Sequence, residues 1–142
     1  MDLDKIYTEV IMDHNKSGHN KRELENPDYT ERGHNPNCGD DFTIQLKIER
    51  NKIVDGGFAG VGCAISTASA SILFDLIIGR EVQDGKRIVE NFLKKIKQEE
   101  ISEGDREELE DAGLLENISN MPGRVKCATL AWNGVKVIFE KL

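Results

Sequence analysis

Residues 42–58 have the sequence FTIQLKIERNKIVDGGF, which carries the clearest secondary-structure pattern of the chain. Over residues 42–48 apolar side chains alternate with polar ones, a period of two that is typical of a strand with one buried face. Arg50 and Asn51 follow as a hairpin turn, because Asn tolerates a positive φ. Residues 52–58 then supply a second strand. The sequence therefore predicts an antiparallel hairpin.

The chain before the hairpin combines one helix with a polar segment. Asp2 can cap a helix whose apolar residues recur at helical spacing and which ends near Ser17. Residues 19–36 are polar and contain the chain breakers Pro27 and Pro36. We therefore predict a surface loop over this segment.

Helical patterns dominate the chain after the hairpin. The first of these helices is capped at Ser66 or Thr67, and the second is capped at Asp84. A last helix carries Cys127, although residues 135–139 also fit a strand.

The order of these elements indicates the fold class. Strands come early and helices come late, which favours an α+β fold with a small antiparallel sheet of about three strands and helices packed on one face. A chain of 142 residues with 38% hydrophobic residues fits one globular domain over residues 1–142.

Charge and hydropathy argue against several classes of function. The formal charge of −7 argues against a nucleic-acid binder or an anionic-membrane binder, since both need clustered Lys and Arg. No apolar run approaches the roughly 20 residues that cross a bilayer, and the chain begins without a signal-peptide pattern. We predict a cytoplasmic protein. The acidic stretch 99–111 is most simply a solvated surface.

Three cysteines are the strongest chemical feature of the sequence. Cys38 precedes the first strand of the hairpin, while Cys63 and Cys127 lie at or just before predicted helix N-termini. An odd number excludes disulfides as the full account, so metal binding or thiol chemistry competes with a role as small core residues. Spacing alone does not decide, because no CxxC pair is present.

The sequence motifs around the three cysteines resemble those of a known family. Asn35-Pro36-Asn37-Cys38-Gly39-Asp40, Gly60-Val61-Gly62-Cys63-Ala64-Ile65-Ser66 and Met121-Pro122-Gly123-Arg124-Val125-Lys126-Cys127-Ala128 resemble the three cysteine motifs of the IscU/SufU iron–sulfur assembly family. The resemblance covers nearly the whole chain. It is closest to the SufU branch, because the segment at about 79–119 is longer than in the IscU branch. We interpret this segment as a branch-specific insertion.

This resemblance implies a function and a ligand set. It implies a zinc-dependent sulfur acceptor that takes persulfide sulfur from a SufS-like cysteine desulfurase and works with downstream iron–sulfur assembly proteins. Such an acceptor is sulfurtransferase-like and does not act as a stand-alone enzyme. Cys38 would be the sulfur acceptor. The implied zinc ligands are Cys38, Asp40, Cys63 and Cys127.

Two other readings stay open. IscU proteins place a histidine immediately before the third cysteine, where this chain has Lys126, and Arg124 matches an arginine of the SufU pattern in a supporting role. The main alternative is a scaffold that assembles and transfers a [2Fe–2S] cluster, against which the missing histidine weighs. The other is a structural zinc domain with inert cysteines.

Overall fold

The computed structural model describes residues 3–36 and 39–142, with the side chains of all of these except residues 3–6 and 117. None of the helices in these ranges has the length and apolar character needed to cross a membrane. The elements are α1 Leu3–Ser17, β1 Tyr29–Asn35, β2 Asp40–Glu49, β3 Lys52–Val61, α2 Ala64–Ile77, α3 Val82–Ile96, α4 Glu103–Glu108, a 3₁₀ segment Glu110–Ile118 and α5 Pro122–Glu140.

The predicted hairpin is confirmed as strands β2 and β3 of an antiparallel sheet with the order β1-β2-β3. Arg50 and Asn51 form its turn with φ of 50° and 64°, so both turn residues occupy the left-handed region. The apolar residues of β2 are buried, and Ile44 pairs with Phe58 of β3. The alternation in the sequence therefore reports the buried face of the sheet correctly.

The loop predicted over residues 19–36 is partly wrong, because residues 29–35 form the edge strand β1. Its sequence, YTERGHN, carries no apolar alternation. An edge strand pairs on one side only, so polar side chains suit it. Gly33 faces helix α5, where a Cβ at this position would lie 3.2 Å from Cγ of Leu130. Close packing against α5 therefore favours glycine here.

Helices α2 and α5 cover the buried face of the sheet, as the α+β prediction required. A Cβ at Gly134 of α5 would lie 2.6 Å from Cδ1 of Ile44, and one at Gly56 of β3 would lie 2.8 Å from Cδ1 of Phe74. The two glycines thus allow helix and sheet to approach closely. Trp132 of α5 also stacks on Phe92 of α3, with ring centroids 3.8 Å apart.

Several helix boundaries differ from those predicted. Helix α2 is capped by Cys63 instead of Ser66 or Thr67, and α3 is capped by Glu81 instead of Asp84. Residues 135–139 are helical, so the strand alternative is wrong. The predicted cap Asp2 lies outside the described residues.

Candidate metal centre

Three of the four predicted ligands lie together. Asp40 begins β2, Cys63 joins β3 to α2, and Cys127 lies in the second turn of α5. One ligand atom from each of these residues lies within 4.8 Å of the others. The fourth predicted ligand, Cys38, lies outside the described residues. The fold thus brings together side chains that are up to 87 positions apart in sequence.

The Asp40 carboxylate is fully buried, and its two oxygens differ in their partners. Oδ1 accepts a hydrogen bond from the backbone N–H of Cys63 at 2.9 Å and another from Oγ of Ser66 at 3.1 Å. Oδ2 is buried and accepts no hydrogen bond from any residue that the structure describes. A buried polar atom without a partner is costly, and a cation at this position would remove that cost.

Cys63 is half-buried and caps helix α2. Its Sγ accepts a hydrogen bond from the backbone N–H of Ser66 at 3.4 Å. The positive end of the helix dipole stabilises negative charge at this position. Gly62 makes this geometry possible, because a Cβ there would lie 2.4 Å from Cζ of Phe42 and 2.5 Å from Oγ of Ser66.

Cys127 is 1% exposed, and its Sγ lies 3.7 Å from the carbonyl oxygen of Gly123. The prediction that it lies at or just before a helix N-terminus is wrong, because α5 begins five residues earlier at Pro122. Proline at the first helical position is pre-set for a helix and needs no hydrogen-bond partner for its nitrogen. The helix therefore starts early enough to place Cys127 in its second turn.

Two exposed cations flank the site on α5. Arg124 and Lys126 are both exposed on this helix, and Lys126 directly precedes Cys127. Burial raises the pKa of the Tyr7 phenol, the charge of Arg124 opposes this effect, and Cys63 adds to it. Tyr7 therefore lies at the edge of the metal centre. From the pattern of the first helix Tyr7 was predicted only as an apolar residue, and its amphipathic side chain was the one signal that it could border a polar site.

The residues next to the motifs have other partners. Asp41 forms a two-point hydrogen-bonded pair with Arg32, at 2.9 and 2.6 Å, which lowers the pKa of the Asp41 carboxyl. His14 hydrogen-bonds to Oγ of Ser71 at 2.7 Å, and His19 pairs with the carboxylate of Asp75. These side chains stabilise contacts between elements.

The donor set fits a thiophilic metal. Two thiols and a carboxylate oxygen are ligands that zinc takes in proteins, and thiolates also hold iron–sulfur clusters. The buried oxygen of Asp40 supports a bound cation, because within the described part of the chain it has no other partner. The donor set therefore suits either a zinc ion or an iron–sulfur cluster.

Comparisons with known proteins agree on one family. The model of the NifU-like N-terminal domain matches residues 6–133. The chain is 36% identical over 139 residues to a protein of Streptococcus pyogenes named iron-sulfur cluster assembly scaffold protein IscU, with 98% of this chain and 86% of that protein covered. It is 35% identical over 134 residues to the zinc-dependent sulfurtransferase SufU of Bacillus subtilis, with 94% and 89% covered.

A solved structure adds the same likeness in three dimensions. The crystal structure of a putative iron-sulfur cluster assembly scaffold protein for the SUF system from Fervidobacterium islandicum superposes with a TM-score of 0.85 at 34% identity, with 94% of this chain and 96% of that chain covered. A NifU-like N-terminal protein from Brucella abortus, 21% identical with a TM-score of 0.83, shares the fold, with 98% and 95% covered.

Proposed function

Because this chain belongs to the family of NifU-like N-terminal domains, the IscU/SufU family of iron–sulfur cluster assembly proteins, we propose that it is a zinc-dependent sulfur acceptor. Its donor is the persulfide of a SufS-like cysteine desulfurase, and downstream iron–sulfur assembly proteins receive the sulfur. Cys38 is the acceptor. Cys38, Asp40, Cys63 and Cys127 together hold the zinc.

The observation that carries this proposal is the buried Asp40 carboxylate beside two thiols, whose Oδ2 has no hydrogen-bond partner among the described residues. A hard oxygen among soft sulfurs suits a zinc site, whereas iron–sulfur clusters are held chiefly by thiolates. Lys126, next to Cys127, offers an ammonium group with three donors and no lone pair, so it supplies no ligand where the IscU branch has a histidine. The Bacillus subtilis relative carries the name of a zinc-dependent sulfurtransferase.

The sulfur transfer needs no external oxidant or reductant. The Cys38 thiolate attacks the outer sulfur of the donor persulfide, and a new S–S bond forms on Cys38. The S–S bond of the donor breaks, and its electron pair leaves on the donor cysteine as a thiolate. Zinc, when bound, competes with protons for the cysteines and so keeps them deprotonated near neutral pH.

The remaining groups of the site support the nucleophile. Cys63, at the start of α2, and Cys127, on α5, would hold the zinc, and Cys38 would supply the reacting thiolate. The charge of Arg124 lowers the pKa of the Tyr7 phenol, whereas Cys63 raises it. The positive charge of Arg124 stabilises a site that carries several negative ligands. We assign Arg124 a supporting role on this basis.

The test begins with metal analysis and an absorption spectrum of anaerobically purified protein. We expect about one zinc per chain and no visible absorbance, as for a single tetrahedral site. The protein is then incubated with a cysteine desulfurase and cysteine, and peptides are analysed by mass spectrometry. We expect one added sulfur on Cys38 and none in Cys38→Ser. Zinc-loaded protein whose Cys38 stays unmodified contradicts the proposal.

A [2Fe–2S] assembly scaffold is the second candidate. It is favoured by the name scaffold protein on two relatives that are each 36% identical to this chain, from Streptococcus pyogenes and Thermotoga maritima. Under this alternative the same preparation contains iron and sulfide and absorbs visible light. Loss of the cluster, instead of loss of zinc, would then follow from Cys63→Ser.

A further inference from the structure

Ser66 is a buried side chain that contacts two of the candidate ligands. It is 1% exposed and is the third residue of helix α2. Its Oγ lies 3.1 Å from Oδ1 of Asp40, 3.1 Å from the carbonyl oxygen of Cys63 and 3.4 Å from Sγ of Cys63. A serine hydroxyl has one proton to donate, so the Asp40 carboxylate and the Cys63 carbonyl compete for it, while the hydroxyl oxygen accepts from the Cys63 thiol.

The carboxylate is the stronger of these two acceptors. A hydrogen bond to an ionised oxygen is roughly twice as strong as one between neutral groups. Oδ1 of Asp40 therefore takes the Ser66 proton as well as the N–H of Cys63. Both donors act on the same oxygen, and no residue that the structure describes bonds to the other oxygen, which can therefore bind a metal ion.

We propose that Ser66 is a positioning residue that makes Asp40 a one-oxygen metal ligand and thereby selects a four-coordinate metal. This inference rests on the metal site of the proposed function. A carboxylate that binds through one oxygen keeps the coordination number at four, as zinc prefers. A carboxylate free to rotate can bind through both oxygens, which suits larger, hard cations with more ligands.

Ser66→Ala isolates this role. The cap of α2 uses the backbone N–H of Ser66, which alanine retains. The substitution removes only the hydroxyl, so Oδ1 of Asp40 keeps a single donor and the carboxylate gains rotational freedom. Ser71→Ala is the matched control, because Ser71 is also 1% exposed on α2 but bonds to His14 and to the carbonyl of His19.

Two measurements do not depend on sulfur-transfer activity. The first is zinc affinity by chelator competition under anaerobic conditions. Loss of a residue that orients a metal ligand typically weakens affinity about 10- to 100-fold, and we expect this loss in Ser66→Ala and not in Ser71→Ala. The second is the visible spectrum after Co²⁺ replaces zinc. The intense bands of four-coordinate Co²⁺ should weaken in Ser66→Ala alone.

X-ray absorption of the zinc-loaded wild-type protein tests the same point without any variant. We expect one oxygen neighbour at about 2.0–2.2 Å among sulfur neighbours. Two carboxylate oxygens at the metal would overturn the inference, and so would wild-type zinc affinity together with a wild-type cobalt spectrum in Ser66→Ala.

Asp40→Asn separates this inference from the proposed function. Asparagine keeps an oxygen for Ser66 and Cys63 but presents an NH₂ group, which is a donor, in place of Oδ2. If Asp40→Asn lowers zinc affinity and Ser66→Ala changes neither zinc affinity nor the cobalt spectrum, the role of Ser66 is refuted and the ligand set stands. If neither variant changes it, Asp40 is not a ligand and both proposals lose their basis.

Discussion

Gly62→Ala should destabilise the protein and weaken its metal site together. The added Cβ would lie 2.4 Å from Cζ of Phe42 and 2.5 Å from Oγ of Ser66, about 1 Å closer than ordinary van der Waals contact allows. Phe42 is fully buried and is held edge-on against Phe58 with ring centroids 5.1 Å apart. Neither neighbour can move without disturbing packed atoms. Overpacking of this kind costs about 1–3 kcal/mol.

Thermal unfolding and zinc competition measure the two effects. A loss of this size lowers the Tm of a chain of this length by about 3–10 °C. Displacement of Ser66 from Asp40 should also weaken zinc binding about 10-fold or more.

Gly123→Ala is the control for this pair of measurements. Gly123 lies in the first turn of α5, and a Cβ there meets no atom within 4 Å. Its Tm should stay level or rise slightly, because alanine favours helix more than glycine does. If Gly62→Ala matches Gly123→Ala in both Tm and zinc affinity, the close approach at Gly62 is refuted.

Two further predictions concern the contacts that hold the helices together. Trp132→Phe removes the buried, 2.8 Å hydrogen bond from the indole N–H to Oγ of Ser69 and leaves a small cavity. The free energy of unfolding in urea should therefore fall by about 1–3 kcal/mol, and an unchanged midpoint would contradict this. Arg87 lowers the pKa of Glu108, so the stability that Glu108 contributes is present above about pH 4.5 and is lost as the pH falls through its lower folded-state pKa. The free energy of unfolding of Glu108→Gln should therefore be lower than that of wild type at pH 7 and approach the wild-type value in acid. Glu107→Gln, which makes the same change of charge, should not show this pH-dependent loss.

The sheet was predictable where side-chain pattern and burial coincide. The alternation over residues 42–48 specifies which face of β2 is buried, and the hairpin follows from it. Strand β1 was missed because its polar sequence YTERGHN is stabilised by pairing with β2 and by close contact with α5. Those contacts join residues far apart in the chain, so no local pattern reports them.

The candidate site was predictable in its residues and less so in its geometry. Motif resemblance named Asp40, Cys63 and Cys127, which the fold brings together. Capping preference assigned Ser66 to the start of α2, but Cys63 caps the helix and the Ser66 hydroxyl reaches Asp40. Tyr7 could not be assigned, because its approach to the site depends on how α1 lies against α2. Cys38 remains a prediction from the sequence.

The contact between α2 and α5 has a consequence for how the site is prepared. Ser69 of α2 donates to the carbonyl of Ala128, and Trp132 of α5 donates back to Ser69. These bonds lie beside Cys127, so the distance between the two helix-borne sulfurs is set by the protein core. Such a site is preorganised. The two thiols are already ordered in the folded protein, so their ordering adds no entropic cost when a metal binds. An ion held at this candidate site could then leave or exchange a ligand while the domain keeps its structure, unlike a zinc finger, which unfolds when its metal is removed.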